Sequence, residues 1–346
     1  MRSYEFHDAH IHLTNYIQRG TDVHHFVNMM GTTIGRATLF GIQLQQQWKW
    51  GNAGDFAPRY SLRTAAPVSD HSFTDAFIAT AFRSLLPAQQ ARLDPMITGF
   101  NPADVEAADH IRRVLLTFPG VFSGIGNLTL HSDSASSTNG GKAASSVHPV
   151  LDRIFEVAAE AGLAVILHSD IDTPFPKADR EPFAILQLKE LFRRHPRTTI
   201  IWTHLGAGRL VRPLQEQAQL VDRVLSQPEL RRLYFDISWD AVAKYGVATR
   251  ENTAGLADVV NRYPDRFLFG TGVVAPKSLE GITSVFHLYD PLWRLLTPDA
   301  SHNVRLGNYE RLFDGARREV RAWEKAQLRA ARRASSAHSP EASIAT

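Results

Sequence analysis

Residues 164–168 read Ala-Val-Ile-Leu-His and residues 200–204 read Ile-Ile-Trp-Thr-His. Each is a short apolar run closed by a polar residue, which is the pattern of a buried β-strand. Between them, residues 182–194 carry apolar side chains at helical spacing. Parallel strands need such a crossover helix, so the segment predicts two parallel strands that each end in a histidine.

The same alternation of strand and helix extends over the whole chain. Predicted strands cover Tyr4–His10, Ala37–Ile42, Met96–Phe100, Val121–Leu130, Val165–His168, Thr199–His204, Leu233–Ile237 and Arg266–Gly270. Amphipathic helices are clearest at Ala103–Phe118, Pro149–Ala161, Pro182–Arg194, Arg209–Ser226 and Gly255–Tyr263. Eight such units indicate an α/β fold, a single (β/α)8 TIM barrel with long loops after its strands and a C-terminal helix. An open doubly wound sheet is the alternative, but no Gly-x-Gly-x-x-Gly sequence follows a predicted strand. We assign residues 1–333 to the barrel domain and 334–346 to a disordered tail.

Composition excludes several classes of site. The 346 residues are 44% hydrophobic and 21% charged and include no cysteine. Thiol nucleophiles, thiolate metal sites and iron–sulfur clusters are therefore excluded, and any metal must be held by nitrogen and oxygen. Without an apolar leader segment or an apolar run of about 18 residues, we expect a soluble, cytoplasmic protein with no membrane partner.

The formal net charge of +3 does not indicate a nucleic-acid partner. From Arg305 onward the chain has nine basic and five acidic residues, whereas the remainder has 29 basic and 30 acidic ones. The positive charge is confined to a C-terminal helix and its tail, as expected of a solvated terminal helix. We expect a small-molecule substrate instead.

Four histidines point to a metal centre. His10 and His12 lie two residues apart at the end of the first predicted strand, so strand alternation places both side chains on one face. His168 and His204 end the fifth and sixth predicted strands. All four should therefore meet at the carboxyl end of the barrel, and imidazole is a common ligand of Zn, Fe, Cu and Ni.

Aspartates near the ends of the predicted strands are candidates to complete this centre. They are Asp8, Asp170, Asp236 and Asp240. Asp8 precedes His10 by two residues and so faces inward, where we expect it to fix a ligating imidazole. We take Asp236 as a further metal ligand, and Asp8, Asp170 and Asp240 as acid–base candidates. The alternatives are a loop cap for Asp170, a buried hydrogen-bond acceptor for Asp236 and a helix N-cap for Asp240.

Long loops after predicted strands supply candidates for substrate binding, because these loops form the active-site face of a barrel. The loop over residues 43–72 carries Trp48, Trp50 and Tyr60, which we predict to form an aromatic wall. The loop over residues 131–147 is rich in Ser and Gly and suits either a lid or a surface insertion. Arg209 starts the helix after His204, where it either holds an anionic substrate group or is solvated.

These residues resemble the amidohydrolase superfamily of metal-dependent barrels. The similarity rests on Asp8-Ala9-His10-Ile11-His12, on His168, on His204-Leu205-Gly206 and, for the second amidohydrolase family, on the closing stretch Gly307–Phe313. It extends over roughly residues 4–315. The resemblance implies a (β/α)8 barrel with His10 and His12 on one metal ion, and with His168 and His204 as the further histidine ligands.

Two positions depart from that family. Members usually carry an aspartate just after the eighth strand, and this aspartate serves as the general base in hydrolysis. This chain has Phe269-Gly270-Thr271-Gly272 there. Two-metal members also carry a bridging Lys or Glu near the fourth strand, where this chain has Asn127. Hydrolysis would therefore need a relocated carboxylate.

Three functions remain open at this stage. We favour a nonheme iron monooxygenase, with two iron ions, that hydroxylates an apolar, acyl-CoA-linked intermediate of antibiotic biosynthesis. Residues 6–16 and 39–42 resemble the branch that contains the nonheme diiron monooxygenase of platensimycin and platencin biosynthesis. The alternatives are a zinc- or manganese-dependent hydrolase or lyase with a relocated carboxylate, and a non-catalytic barrel that binds a ligand. Barrels of this type often pair, so a homo-oligomer also stays open.

Overall fold

Each of the eight strands that the sequence predicts overlaps a strand of the barrel, although the ends differ. A computed structural model describes residues 4–46, 68–70, 72–130, 149–169, 183–206 and 217–337. Its strands are β1 (Phe6–Asp8), β2 (Ile11–His12), β3 (Ile34–Leu39), β4 (Leu44–Gln46), β5 (Val68–Asp70), β6 (Leu93–Ile97), β7 (Gly124–Leu130), β8 (Ala164–Ser169), β9 (Thr199–Trp202), β10 (Leu233–Asp236), β11 (Phe267–Leu268) and β12 (Val273–Val274). Eight of them form one parallel sheet in the order β1-β3-β6-β7-β8-β9-β10-β11. This order of parallel strands confirms the (β/α)8 barrel.

Backbone hydrogen bonds join the first strand of the sheet to its last. The amide of Ala9, just after β1, donates to the carbonyl of Phe269, just after β11, at 2.9 Å. One step further along, β2 pairs in parallel with β12. The sheet therefore closes on itself at the end where the histidines lie.

Helices follow most strands and cover the outside of the barrel. They are α1 (Val23–Met30), α2 (Phe73–Arg83), α3 (Pro87–Gln90), α4 (Ala107–Thr117), α5 (Pro149–Ala161), α6 (Phe183–Arg194), α7 (Gln217–Leu225), α8 (Asp240–Gly246), α9 (Arg250–Arg262), α10 (Leu279–Leu288), α11 (Asp290–Trp293), α12 (Pro298–His302) and α13 (Asn308–Ala337). Short 3₁₀ turns at 203–206 and 228–230 and a π turn at 303–307 complete the described elements. None of the helices in the described residues is long and apolar enough to span a bilayer.

Polar side chains move several element boundaries away from the predicted ones. The first predicted strand, Tyr4–His10, is divided because a side-chain oxygen of Asp8 accepts a hydrogen bond from the amide of His10 at 3.0 Å and turns the chain. Helix α9 begins at Arg250 instead of Gly255, because the Thr249 hydroxyl caps it by accepting from the amide of Asn252. Apolar spacing alone does not locate such turns and caps.

The C-terminal helix α13 closes the amino-terminal end of the barrel. Tyr309, Leu312, Phe313 and Ala316 pack in one buried cluster with side chains from the strands of the barrel. The helix ends at Ala337, and residues 338–346 of the predicted tail lie outside the described residues. With one end filled, the carboxyl ends of the strands are the open face of the fold.

Candidate metal centre

Four imidazoles lie in a row at the carboxyl end of the barrel. Ring centroids are 5.3 Å apart for His12 and His10, 4.8 Å for His10 and His204, and 5.0 Å for His204 and His168. His10, His12 and His204 are buried, and His168 is half-buried. The structure thus brings together the four histidines that the strand pattern predicts to meet.

Each histidine reaches the row from a strand end. His10 lies in the turn between β1 and β2, His12 ends β2, and His168 lies near the end of β8. His204 follows β9 in a 3₁₀ turn and has a φ of 58°, a left-handed conformation that a non-glycine residue seldom adopts. Such backbone conformations persist where surrounding contacts hold them and are concentrated at functional sites.

Asp8 holds the backbone around the row, and its hydrogen bonds within the described part of the chain go to two amides and a hydroxyl. One carboxylate oxygen accepts from the amides of His10 and Thr271, at 3.0 and 2.9 Å, and the other accepts from the Thr271 hydroxyl at 2.6 Å. Burial raises the pKa of Asp8 to about 6, although these hydrogen bonds act to lower it. The hydrogen bonds of Asp8 thus go to the two loops that close the barrel, and its role toward an imidazole stays a prediction.

Asp236 is the carboxylate that fixes the imidazoles. Its Oδ2 accepts from Nδ1 of His10 at 3.0 Å, and its Oδ1 accepts from the amides of His204 and Ser238, at 2.8 and 3.0 Å. Burial acts to raise the pKa of this carboxyl, but hydrogen bonds, the one from His10 first, hold that pKa at about 2. Asp236 is therefore an ionised acceptor in the interior of the barrel.

Ser238 extends this anchoring to a second histidine. Its hydroxyl lies 2.8 Å from Nδ1 of His204 and donates to Oδ1 of Asp236. The hydroxyl can then accept from Nδ1–H of His204, so that Asp236 orients His10 directly and His204 through Ser238. Sequence analysis missed Ser238, although its place two residues after Asp236 puts it on the same face of the chain.

Among the described residues, these contacts involve Nδ1 of three histidines and leave their Nε2 atoms without a hydrogen bond. Nδ1 of His10 donates to Asp236, Nδ1 of His204 to Ser238, and Nδ1 of His12 lies 3.4 Å from the carbonyl oxygen of Gly41. Burial, together with the neighbouring imidazoles, lowers the pKa of His12 and of His204 well below the usual value. Neutral imidazoles with an oriented lone pair are the form in which histidine binds metals.

The anchoring carboxylate and two of the histidines also form a compact group of possible metal ligands. His10, His204 and Asp236 each offer a ligand atom, and these three atoms lie within 4.8 Å of one another. Nitrogen-rich sets with one carboxylate suit Zn, Fe and Mn. The donors on the described residues therefore fit a divalent transition metal.

Comparisons with known proteins place the chain in a family. A family model described as Amidohydrolase, the second family of that name, matches residues 8–315. This chain is an amidohydrolase-family member. A search of the curated proteins found no match.

Several solved structures have a fold similar to that of this chain. An amidohydrolase 2 from Bifidobacterium longum subsp. infantis is 13% identical, with 90% of this chain and 99% of that chain covered and a TM-score of 0.51. A TIM-barrel protein from Bordetella bronchiseptica is 14% identical, with coverage of 90% and 99% and a TM-score of 0.51. A protein from Agrobacterium tumefaciens is also 14% identical, with coverage of 90% and 94% and a TM-score of 0.52. At such identities the similarity shows the fold alone.

In this chain, little room is left for a side chain at the position where amidohydrolases usually carry an aspartate. Gly272 has a φ of 67°, and its amide donates to the carbonyl of His10 at 2.7 Å. A Cβ added there would lie 3.3 Å from Cα of Trp239, whose ring is 5.3 Å from that of His204. An aspartate at position 272 would need both a strained backbone and a shift of Trp239, another residue that sequence analysis missed.

The other predicted carboxylates and the substrate wall lie away from this row or outside the described residues. Asp240 is the first residue of α8, where its half-exposed carboxylate lies 2.7 Å from Nζ of Lys244. It does not join the row. Predicted residues outside the described part are Trp48, Trp50, Tyr60, Asp170 and Arg209.

Replacement of Ser238 should weaken metal binding in this amidohydrolase without removing a ligand. Ser238→Ala removes the acceptor for Nδ1–H of His204, so we expect about a tenfold loss of metal affinity. Isothermal titration of metal-depleted protein with Zn²⁺ measures it. Ser284→Ala, which removes an exposed hydroxyl from α10, is the matched control and should leave the affinity unchanged. Equal affinities of Ser238→Ala and the control would contradict the anchoring role.

Proposed function

We propose that this protein is a metal-dependent hydrolase or lyase that acts on a small molecule, with the metal held by His10, His12, His168 and His204. The observation that carries the proposal is the row of four imidazoles, two of them anchored by Asp236, in a chain of the amidohydrolase family. Family membership favours hydrolysis or a related elimination or addition over oxidation.

The chain's own residues define what such a centre can do. When bound, a divalent ion supplies Lewis-acid polarisation of a substrate oxygen. Asp236 and Ser238 keep the imidazoles oriented before substrate arrives, which avoids reorganisation during the reaction. Asp236 already accepts from His10, His204 and Ser238, so we assign it to orienting the ligands and not to proton transfer.

Proton transfer needs a carboxylate other than the one at the usual position. Gly272 offers none, Asp8 is enclosed by the amides of His10 and Thr271, and Asp240 is paired with Lys244. We therefore propose Asp170, two residues after His168, as the acid–base group. Trp48, Trp50, Tyr60 and Arg209 remain predicted substrate-binding residues.

A nonheme iron monooxygenase is the second candidate. Two features favour it. One is glycine at position 272, and the other is that Asp236, if it bound the metal instead of orienting the imidazoles, would complete with His10 and His204 a set of two histidines and one carboxylate of the kind that recurs in nonheme iron oxygenases. Two iron ions, an acyl-CoA-linked substrate and a homo-oligomer belong to this candidate as predictions. Membership of the amidohydrolase family supports the hydrolase or lyase better.

Metal content, followed by an assay for dependence on O2, separates these candidates. The protein is purified anaerobically, analysed by inductively coupled plasma mass spectrometry, and assayed with amides, esters, lactones and carboxylic acids with and without O2. We expect about one zinc or manganese ion per chain and turnover that does not depend on O2.

Two other outcomes have definite consequences. About two iron ions per chain with O2 uptake would replace the hydrolase by the monooxygenase. Less than about a tenth of an ion per chain, even after incubation with Zn²⁺, Mn²⁺ and Fe²⁺, would overturn both enzymes and leave a ligand-binding barrel.

A further inference from the structure

His12, at one end of the histidine row, is oriented by a backbone carbonyl and not by a carboxylate. Its Nδ1 lies 3.4 Å from the carbonyl oxygen of Gly41, and its ring packs edge-on against that of Phe40, with the centroids 4.4 Å apart. A hydrogen bond of this length is weak, so a small displacement of the carbonyl decides whether it forms. The orientation of His12 therefore depends on what fixes residues 40–42.

Side chains from the loop after β2 and from α2 hold this stretch at Ile42. The amide of Ile42 donates to Oγ1 of Thr14 at 3.1 Å, and its carbonyl accepts from Nε2 of Gln18 at 2.9 Å. The hydroxyl of Thr74 lies 3.2 Å from the same carbonyl and 2.9 Å from Oε1 of Gln18. Thr14 and Thr74 are buried, and Gln18 is half-buried. Both backbone groups of Ile42 are thus fixed by side chains.

Gly41 packs directly against two of these side chains. A Cβ added at Gly41 would lie 2.3 Å from Cγ2 of Thr74 and 2.8 Å from Oγ1 of Thr14. Only glycine allows so close an approach. The residue whose carbonyl faces His12 is therefore held on both sides, by its own contacts and through Ile42.

Gln18 adopts a backbone conformation that most side chains disfavour. Its φ is 59°, in the left-handed region, where glycine and asparagine are the usual residues. Such conformations persist where surrounding contacts hold them, and they are concentrated at functional sites. Glycine would suit this backbone better, but it would lack the carboxamide that reaches Ile42.

We propose that Gln18 is a positioning residue for His12. Through Ile42 it fixes the carbonyl of Gly41, which keeps Nδ1 of His12 engaged and leaves Nε2 as the nitrogen for an ion. Gln18 thus does for His12 indirectly what Asp236 does for its histidine partner by direct contact. The inference rests on the proposed function, since it treats His12 as a metal ligand.

Two replacements of Gln18 separate a positioning role from a purely structural one. Gln18→Ala removes the carboxamide and keeps a disfavoured backbone, whereas Gln18→Gly removes the carboxamide and suits a positive φ. We expect both to lower the Zn²⁺ affinity of the metal-depleted protein about fivefold, less than Ser238→Ala, because Gln18 acts through two other residues. Urea unfolding should show Gln18→Gly to be the more stable of the two variants.

Gln227→Ala is the matched control for the loss of a carboxamide. The side chain of Gln227 donates to the carbonyl of Arg223 at 3.0 Å and accepts from Arg193 at 2.9 Å, at an exposed site before β10. This variant should keep the Zn²⁺ affinity of the unmodified protein. Affinity that falls in Gln18→Ala but not in Gln18→Gly would follow stability alone and would overturn the positioning role. Unchanged affinity in both variants would also overturn it.

The ¹⁵N chemical shifts of the histidine rings give a readout that needs no metal. In the metal-depleted protein we expect Nδ1 of His12 to carry the ring proton, because it faces the carbonyl of Gly41. Both Gln18 variants should show a mixture of the two His12 tautomers, while the rings of His10 and His204 stay as they are. The spectrum of His12→Ala identifies the His12 signals.

The two readouts separate this inference from the function on which it rests. An unchanged His12 tautomer in both Gln18 variants would overturn the positioning role, whatever their affinity. A change of tautomer in a protein that takes up no metal would keep the positioning role and remove the proposed enzyme. Normal Zn²⁺ binding with neither change in the variants would leave the proposed enzyme and remove the role of Gln18.

Discussion

His204→Ala should lower the affinity of the protein for its metal by more than about a hundredfold. His204 stands in the middle of the row, with its ring 4.8 Å from that of His10 and 5.0 Å from that of His168. Its removal takes away a neutral, oriented imidazole and leaves Ser238 without its histidine partner. No other described side chain can replace its Nε2.

Metal content of the purified variant and Zn²⁺ titration of the metal-depleted variant measure this loss. His25→Ala, on the exposed face of α1, is the matched control and should retain full metal content. Circular dichroism of both variants checks the fold, since His204 is buried and its truncation leaves a small cavity. If His204→Ala kept the full metal content of the control, the four-histidine centre would be wrong.

The positions of the four histidines could be predicted from sequence because they follow from local periodicity. Strand length and alternation place His10, His12, His168 and His204 at strand ends, and parallel strands bring those ends together. The anchoring of these imidazoles could not be predicted in the same way. Asp236 contacts His10 across 226 residues of sequence, and no local pattern encodes that pairing.

The contacts of Asp8 and Trp239 could not be predicted from the sequence. Asp8 has the spacing of an imidazole partner, yet its oxygens are taken by Thr271, 263 residues away, and by the backbone of His10. Trp239 could not be identified from the spacing of apolar residues. Its backbone φ is 82°, so it lies in neither a helix nor a strand, the two structures that such spacing predicts. Contacts between residues far apart in sequence decide both roles, Asp8 with Thr271 and Trp239 with Gly272 and His204.

The amino-terminal end of the barrel depends on a carboxylate that sequence analysis did not single out. Asp94 in β6 is buried and accepts hydrogen bonds from three side chains. Its Oδ2 accepts from Nη2 of Arg36 at 2.9 Å and from the hydroxyl of Tyr309 at 2.8 Å. Its Oδ1 accepts from Nε of Arg317 at 2.5 Å. Burial is the largest single influence on the pKa of Arg36 and acts to lower it, but Asp94, Tyr309 and Asp314 together outweigh burial and raise that pKa. These contacts fix α13 to the sheet from inside.

Asp94→Asn should therefore lower the free energy of unfolding by about 3–5 kcal/mol, because it leaves two largely buried guanidinium groups without their shared counter-charge. Urea unfolding, followed by circular dichroism, measures the change. Asp314→Asn is the matched control: Asp314 pairs with the same Arg36 at 2.6 Å, but half of its side chain is exposed. That variant should lose less than about 1 kcal/mol.

The metal content of the folded fraction gives this experiment a second readout. Asp94 lies at the opposite end of the barrel from His204, so the Asp94→Asn protein should still bind metal as fully as the Asp314→Asn protein does. Equal stability of the two variants would show that α13 is held by its apolar side chains alone, among them Tyr309 and Phe313. Loss of metal from folded Asp94→Asn would show instead that closing one end of the barrel organises the histidines at the other.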